Sequence, residues 1–143
     1  MREEILIKIS TKGRYVLRLM IQLASDYGNG AILLKDIAEE QDVSANYLAQ
    51  LISPLKSAGL IVSNRGSHGG YMLSRKPTEI NVRQIIEAVE GPISLVECVH
   101  APEICSRVER CLSRKVWIQA SEQLAETFAS TKLSELISGK RKA

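Results

Sequence analysis

The segment from Lys35 to Leu73 reads as two helical runs followed by two strand-like runs in quick succession, and few folds accommodate that order. "KDIAEEQ" (35–41) has helical spacing with Ile37 and Ala38 on one side, and "DV" leaves room only for a tight connection. Ser44 then has the character of an N-cap for "ANYLAQLISPLKSAG", in which Leu48, Leu51, Ile52 and Leu55 form one apolar stripe. Pro54 stands inside the stripe, but Leu55 and Ala58 remain in phase with Leu51, so a kink is expected rather than a stop; Gly59 supplies the stop. Leu60–Ser63 and Tyr71–Leu73 are short strand-like runs on either side of a stretch with three glycines, which predicts a hairpin with a long tip. Two helices joined by a tight turn and followed by a hairpin make a winged helix-turn-helix. The predicted fold class is mainly α, with a two-stranded wing and a long C-terminal helix.

Charge placement bears on what this unit meets. The net charge is only +3, and residues 1–78 account for all of it, with ten basic against seven acidic side chains. Residues 5–25 and 43–78 contain no acid, and between them they carry Lys8, Lys12, Arg14, Arg18, Lys56, Arg65, Arg75 and Lys76. Two acid-free basic windows suit a polyphosphate surface, although a solvated face would also accommodate them. A helix fits the major groove of duplex DNA, with the polar residues of its first turns toward base edges. Here those residues are Ser44, Asn46, Tyr47 and Gln50: the amides can pair with adenine and the hydroxyls can hold phosphates. In the wing tip "NRGSHGG", Arg65 is the candidate for minor-groove insertion, with Gly66, Gly69 and Gly70 allowing close backbone approach. The tip lacks the Lys-Ser/Thr ending of a nucleotide-binding loop and precedes a strand, so nucleotide binding is rejected.

Around this unit the sequence supplies "STKGRYVLRLMIQLAS", a helix opened by Ser10 or Thr11, and "AILL", a short strand or helix lead. After Pro77 comes "NVRQIIEAVEG", a helix ended by Gly91, and a long amphipathic helix is expected over residues 107–130, with a further helical turn after it. The division expected is residues 1–78 for the winged unit, 79–97 for a connecting helix, 98–111 for a cysteine-bearing loop, 107–138 for the terminal helix and turn, and 139–143 for a tail. No run approaches a membrane span, and the N-terminus carries acids and no long apolar stretch, so a cytoplasmic protein without membrane association is expected.

All three cysteines lie in "CVHAPEICSRVERC". The spacing C-x6-C-x5-C departs from zinc knuckles, and a disulfide would leave one thiol over. A catalytic thiol lacks an obvious partner, since His68 and His100 are the sole histidines. Thiolates on a flexible loop suit an iron–sulfur cluster, while redox-active thiols, zinc and a purely structural role remain open on spacing alone.

"ISTKGRYVLRLM", "DIAEEQDVSANYLAQLISPLKSAGLIVSNRGSHGGYMLSR" and "IIEAVEGPISLVEC" resemble the Rrf2 family of bacterial winged-helix transcription regulators over nearly the whole chain, most specifically its iron–sulfur-sensing IscR-type branch. The resemblance implies a homodimeric regulator, not an enzyme, that binds a near-palindromic operator in double-stranded DNA and acts as a repressor. The long helix would dimerise through Trp117, Leu124 and Phe128. The resemblance carries Ser44, Asn46, Tyr47 and Gln50 onto recognition-helix contacts, Arg65 onto the wing arginine, and Ser10, Thr11, Lys12 and Arg14 onto the phosphate approach; Lys56 is grouped with these. It makes Cys98, Cys105 and Cys111 ligands of an iron–sulfur cluster, of the 2Fe–2S type, in a regulator of cluster assembly or cysteine metabolism. Two positions depart from the branch. Ala49 stands where some relatives carry a Glu, and Arg114 stands where the IscR type has a ligating His, leaving His100 as a weak fourth-ligand candidate. The alternatives are a cluster-free regulator of the same fold answering to thiol oxidation, nitric oxide or a protein partner, and, more remotely, a small electron carrier.

Overall fold

A computed structural model describes residues 9–64 and 69–139. The first helix, α1 (Thr11–Ser25), is opened by Ser10, whose hydroxyl accepts from the Gly13 amide at 3.2 Å. Helices α2 (Leu34–Gln41) and α3 (Ala45–Ser57) follow. The connection between them is tight because Asp42 adopts the left-handed conformation at φ 53°, which returns its amide and that of Val43 to the carbonyls at the end of α2. Ser44 opens α3 by accepting from the Tyr47 amide at 3.1 Å. The helix runs past Pro54 to Ser57, as its unbroken apolar stripe predicts. Leu48, Leu51, Ile52 and Leu55 are all buried.

The hairpin consists of β1 (Ile61–Ser63) and β2 (Tyr71–Leu73), antiparallel, with Ile61 opposite Leu73 and Val62 opposite Met72. Alternation puts Ile61 and Leu73 into the core and leaves Val62 and Met72 exposed. "AILL" leads into a helix and forms a single bridge rather than a strand. Ile32 exchanges backbone hydrogen bonds with Tyr71 at 2.9 and 2.8 Å, and α2 starts two residues later.

A 3-10 turn (Pro77–Glu79) leads to α4 (Val82–Glu90), which is opened by reciprocal 2.9 Å bonds between Asn81 and Gln84. The cysteine segment contains a single helical turn, α5 (Glu97–His100), and a 3-10 turn (Pro102–Ile104). The last two helices are α6 (Arg114–Ala129) and α7 (Leu133–Ser138). The helix expected over 107–130 therefore begins seven residues later than its apolar pattern suggests. Residues 105–110 close i→i+3 turns instead, with Val108 donating to Cys105 and Arg110 to Arg107.

One core unites α1, α2, α3, the hairpin, α4 and α7. Val16, Leu19, Ile37, Leu48, Leu55, Leu60, Ile61, Ile80, Ile85 and Leu133 are among its buried side chains. The chain end is drawn into this core by backbone bonds from Val82 to Thr131 (2.9 Å) and from Leu133 to Ile80 (3.0 Å). In contrast, α6 buries only Ser121 and Ala125, while Val116 and Trp117 stay exposed. Among the described residues, no helix is long and apolar enough to cross a membrane.

Candidate nucleic-acid interface and cysteine segment

The buried stripe of α3 fixes which side of the helix faces outward. Ser44, Asn46, Ala49 and Gln50 are exposed, and Tyr47 is half-buried. Ser44 uses an oxygen lone pair for the cap, so its hydroxyl proton is still available to an acceptor such as a phosphate. Ala49 offers only a methyl group among these polar neighbours.

Tyr47 does not hang free. Its ring stands edge-on to Tyr15 of α1, with centroids 5.8 Å apart and planes at 84°. The guanidinium of Arg18 lies 5.1 Å from the Tyr15 ring centroid. This aromatic and cationic stack braces the start of α3 against α1. Tyr15 and Arg18 are absent from the sequence-derived candidates. The spacing of Tyr15 and Arg18 on one helical face is a sequence feature, but the meeting of Tyr15 with Tyr47 is a tertiary contact.

At the start of α1, Thr11, Lys12 and Arg14 are exposed and no acid occupies the first turn. Arg14 donates to the Thr11 hydroxyl at 3.3 Å. The positive end of the helix dipole adds to these two cations, which suits a phosphate. Ser10 is committed to the fold, accepting from Gly13 and donating to the Glu90 carboxylate of α4. Lys56 reaches from the end of α3 to the Ser63 hydroxyl at 3.3 Å and so ties helix to wing. Arg65 and Gly66 lie outside the described residues. Gly69 and Gly70 both have positive φ, +60° and +105°. Gly70 is needed by the fold itself, because a Cβ there would stand 2.5 Å from the Ile32 carbonyl oxygen.

Cys98, Cys105 and Cys111 are free thiols, each half-buried. The Cys111 sulfur lies 3.2 Å from the Ser113 hydroxyl. That hydrogen bond first, and then the Arg114 amide, hold the Cys111 thiol below its ordinary pKa by stabilising the thiolate. Arg114 does not act as a ligand would. Its Nε and Nη2 donate to the Cys98 carbonyl at 3.2 and 3.0 Å. His100 is exposed, with Nδ1 2.7 Å from the Ser94 hydroxyl. As a donor set, three accessible thiols with one acidified suit thiolate–iron bonding. In this conformation, however, no three His, Cys, Asp or Glu side chains among the described residues are grouped closely enough to hold a metal ion. Ligation would require the 98–111 segment to contract.

Comparison with known proteins agrees with this architecture. The model of the Rrf2 family, described as an iron-dependent transcriptional regulator, matches residues 9–139. The chain is 44% identical over 132 residues to the HTH-type transcriptional regulator CymR of Bacillus subtilis, covering 92% of this chain and 91% of the relative. It is 38% identical over 131 residues to IscR of Aliivibrio salmonicida, covering 92% and 77%. The solved structure of CymR, the global cysteine regulator of B. subtilis, superposes with a TM-score of 0.77 at 43% identity, covering 95% of this chain and all of that one. These relatives are named as regulators of transcription and not as enzymes. The chain belongs to the Rrf2 family of winged-helix, DNA-binding transcription regulators.

Proposed function

We propose that this chain is a homodimeric repressor that binds a near-palindromic operator and whose affinity is modulated by an iron–sulfur cluster of the 2Fe–2S type, held by Cys98, Cys105 and Cys111. The observation that carries the DNA reading is the exposed row Ser44, Asn46 and Gln50 on a helix whose opposite side is locked into the core. Asn46 and Gln50 face base edges, while Ser44, Tyr47, Thr11, Lys12 and Arg14 face phosphates. Arg65, with Gly66, Gly69 and Gly70, enters the minor groove.

Two copies join through α6. Its exposed Val116 and Trp117, with half-buried Leu124, offer apolar surface to a partner, while Phe128 of the same stripe already packs partly against the chain's own core. A two-fold axis through this helix repeats the recognition helices at a fixed spacing, which is what a palindromic site requires. The cysteine segment runs directly into α6, so its conformation bears on that spacing. When bound, the cluster would supply an oxidant-sensitive crosslink among the three thiolates. A coupling of about 1–3 kcal/mol between the segment and the DNA face shifts operator occupancy by roughly 5- to 150-fold. Control of cluster assembly or of cysteine supply is the regulatory role that fits such a sensor.

A second reading, a cluster-free regulator that responds through its thiols, is favoured by the acidified Cys111 and by the similarity to CymR. Anaerobic reconstitution with iron and sulfide, followed by operator selection with and without iron, separates the two. The first reading expects visible absorption and iron-dependent affinity. Colourless, iron-free protein whose DNA affinity changes with a thiol oxidant supports the second. No DNA binding even at low salt overturns both.

A further inference from the structure

Both ends of the cysteine segment are fastened to the same turn of α6. At one end, the Arg114 fork grips the Cys98 carbonyl. At the other, the Cys111 sulfur bonds the hydroxyl of Ser113, the residue preceding the helix. A third contact fixes the direction of approach: the Leu95 amide donates at 2.9 Å to the Ser121 hydroxyl, and Ser121 is only 2% exposed. Ser121 follows Arg114 by two helical turns and so lies on the same side of α6. Residues 95–98 are therefore pinned along roughly 10 Å of helix, entering at Ser121 and ending at Arg114.

We infer that Arg114 is a positioning residue for the cysteine site, holding Cys98 by its backbone to the first turn of α6, the helix that begins three residues after Cys111. This deepens the reading of the three cysteines as one chemical site and rests on it. The argument is one of chain geometry. Cys98 and Cys111 are the pair furthest apart in sequence, and an unconstrained chain brings shorter-spaced residues together more often. Left to loop closure alone, Cys105 would pair with either neighbour before Cys98 met Cys111. The clamp reverses that order by raising the local concentration of Cys98 at the helix start. A planar guanidinium can give one carbonyl two donors at once, whereas an ammonium is a point charge without that fork. Arg114 thus has a purpose at a position where a ligand is missing: it organises the thiols without binding what they bind.

Disulfide trapping on the full-length, iron-free protein tests this without any cluster. Diamide takes up two electrons and two protons as two thiols join, leaving one S–S bond and the reduced hydrazine. Peptide mapping of the intramolecular products then reports how the three pairings are distributed. In the wild type, Cys98–Cys111 is expected to exceed both pairings that involve Cys105. In Arg114→Ala and Arg114→Lys alike, that preference should fall about tenfold, the effect of losing a charge-assisted, two-pronged contact. The Lys variant keeps the cation beside Cys111, so its loss of preference isolates the fork from simple charge. Thermal melting of both variants monitors the fold, and if Arg114→Ala melts early the Lys variant carries the comparison. Wild-type preference for the Cys105 pairings overturns the inference, as does unchanged pairing in either variant. Failure to load iron, with the pairing pattern as expected, would remove the cluster from the reading and leave the positioning role in place.

Discussion

Two adjacent glycines give a sharp test of how the wing is seated. Gly69 and Gly70 both have positive φ, so an alanine at either is strained by about 1–2 kcal/mol. Either substitution also removes similar freedom from the unfolded chain, which offsets about 0.4–1 kcal/mol. What differs is the space. Among the described residues nothing lies within 4 Å of a Cβ at Gly69, whereas at Gly70 it would meet the Ile32 oxygen at 2.5 Å and the Ile32 carbonyl carbon at 2.7 Å. Those are backbone atoms, so no rotamer change can relieve the overlap. The chain must separate there, breaking the paired Ile32–Tyr71 bonds of 2.9 and 2.8 Å. Two such bonds contribute roughly 1–3 kcal/mol net. The entropy contributions cancel between the variants, and because φ +105° lies outside the left-handed region that +60° falls in, any difference in strain acts in the same direction as that contact. Gly70→Ala should therefore be about 1–3 kcal/mol less stable than Gly69→Ala, which at about 2–4 °C per kcal/mol is a gap of about 2–12 °C in Tm. Far-UV circular dichroism melts of the two variants measure it, and hydrogen exchange at the Ile32 and Tyr71 amides locates it. Equal melting temperatures, or a Gly70→Ala variant whose Ile32 amide stays protected, would refute the reasoning.

The other predictions concern the proposed DNA-reading helix, the proposed dimer helix, and the thiol. Ser44→Ala removes the cap of α3 and should cost about 1 kcal/mol of stability, together with weaker DNA binding; urea titration and fluorescence anisotropy measure the two effects. Asn46→Ala and Gln50→Ala, both at exposed positions, should leave unfolding stability within about 0.5 kcal/mol of wild type while costing about 1–3 kcal/mol of operator affinity at the base each contacts. Trp117→Glu places a charge on the open side of α6 and should yield monomers in sedimentation at concentrations where the wild type is dimeric. Ser113→Ala removes the principal hydrogen bond that favours the Cys111 thiolate, so the pH midpoint for alkylation of Cys111 should rise toward that of an ordinary thiol. A downward shift or no shift would contradict that assignment.

Much of the architecture was legible because it is encoded locally. The stripe of Leu48, Leu51, Ile52 and Leu55 has helical period, and its phase leaves Asn46 and Gln50 outside whatever the core contains. Ser10 and Ser44 announce helix starts by chemistry that acts within one turn. The start of α6 was misplaced for the opposite reason: residues 107–112 fit a helical pattern, but tighter turns take up their backbone hydrogen bonds.

By itself, then, the sequence determined the order of helices and strands, the outward row on α3 and the clustering of three thiols, because each depends on residues a few positions apart. Tertiary structure alone decided which distant groups meet. It brought Tyr15 to Tyr47, Gly70 against Ile32, α7 into the core of the winged unit, and Arg114 onto the carbonyl of Cys98. In the sequence, Arg114 was a missing ligand. In the fold it is a donor, because packing of the 95–98 stretch along α6 presents a backbone acceptor to a side chain that has only donors to give.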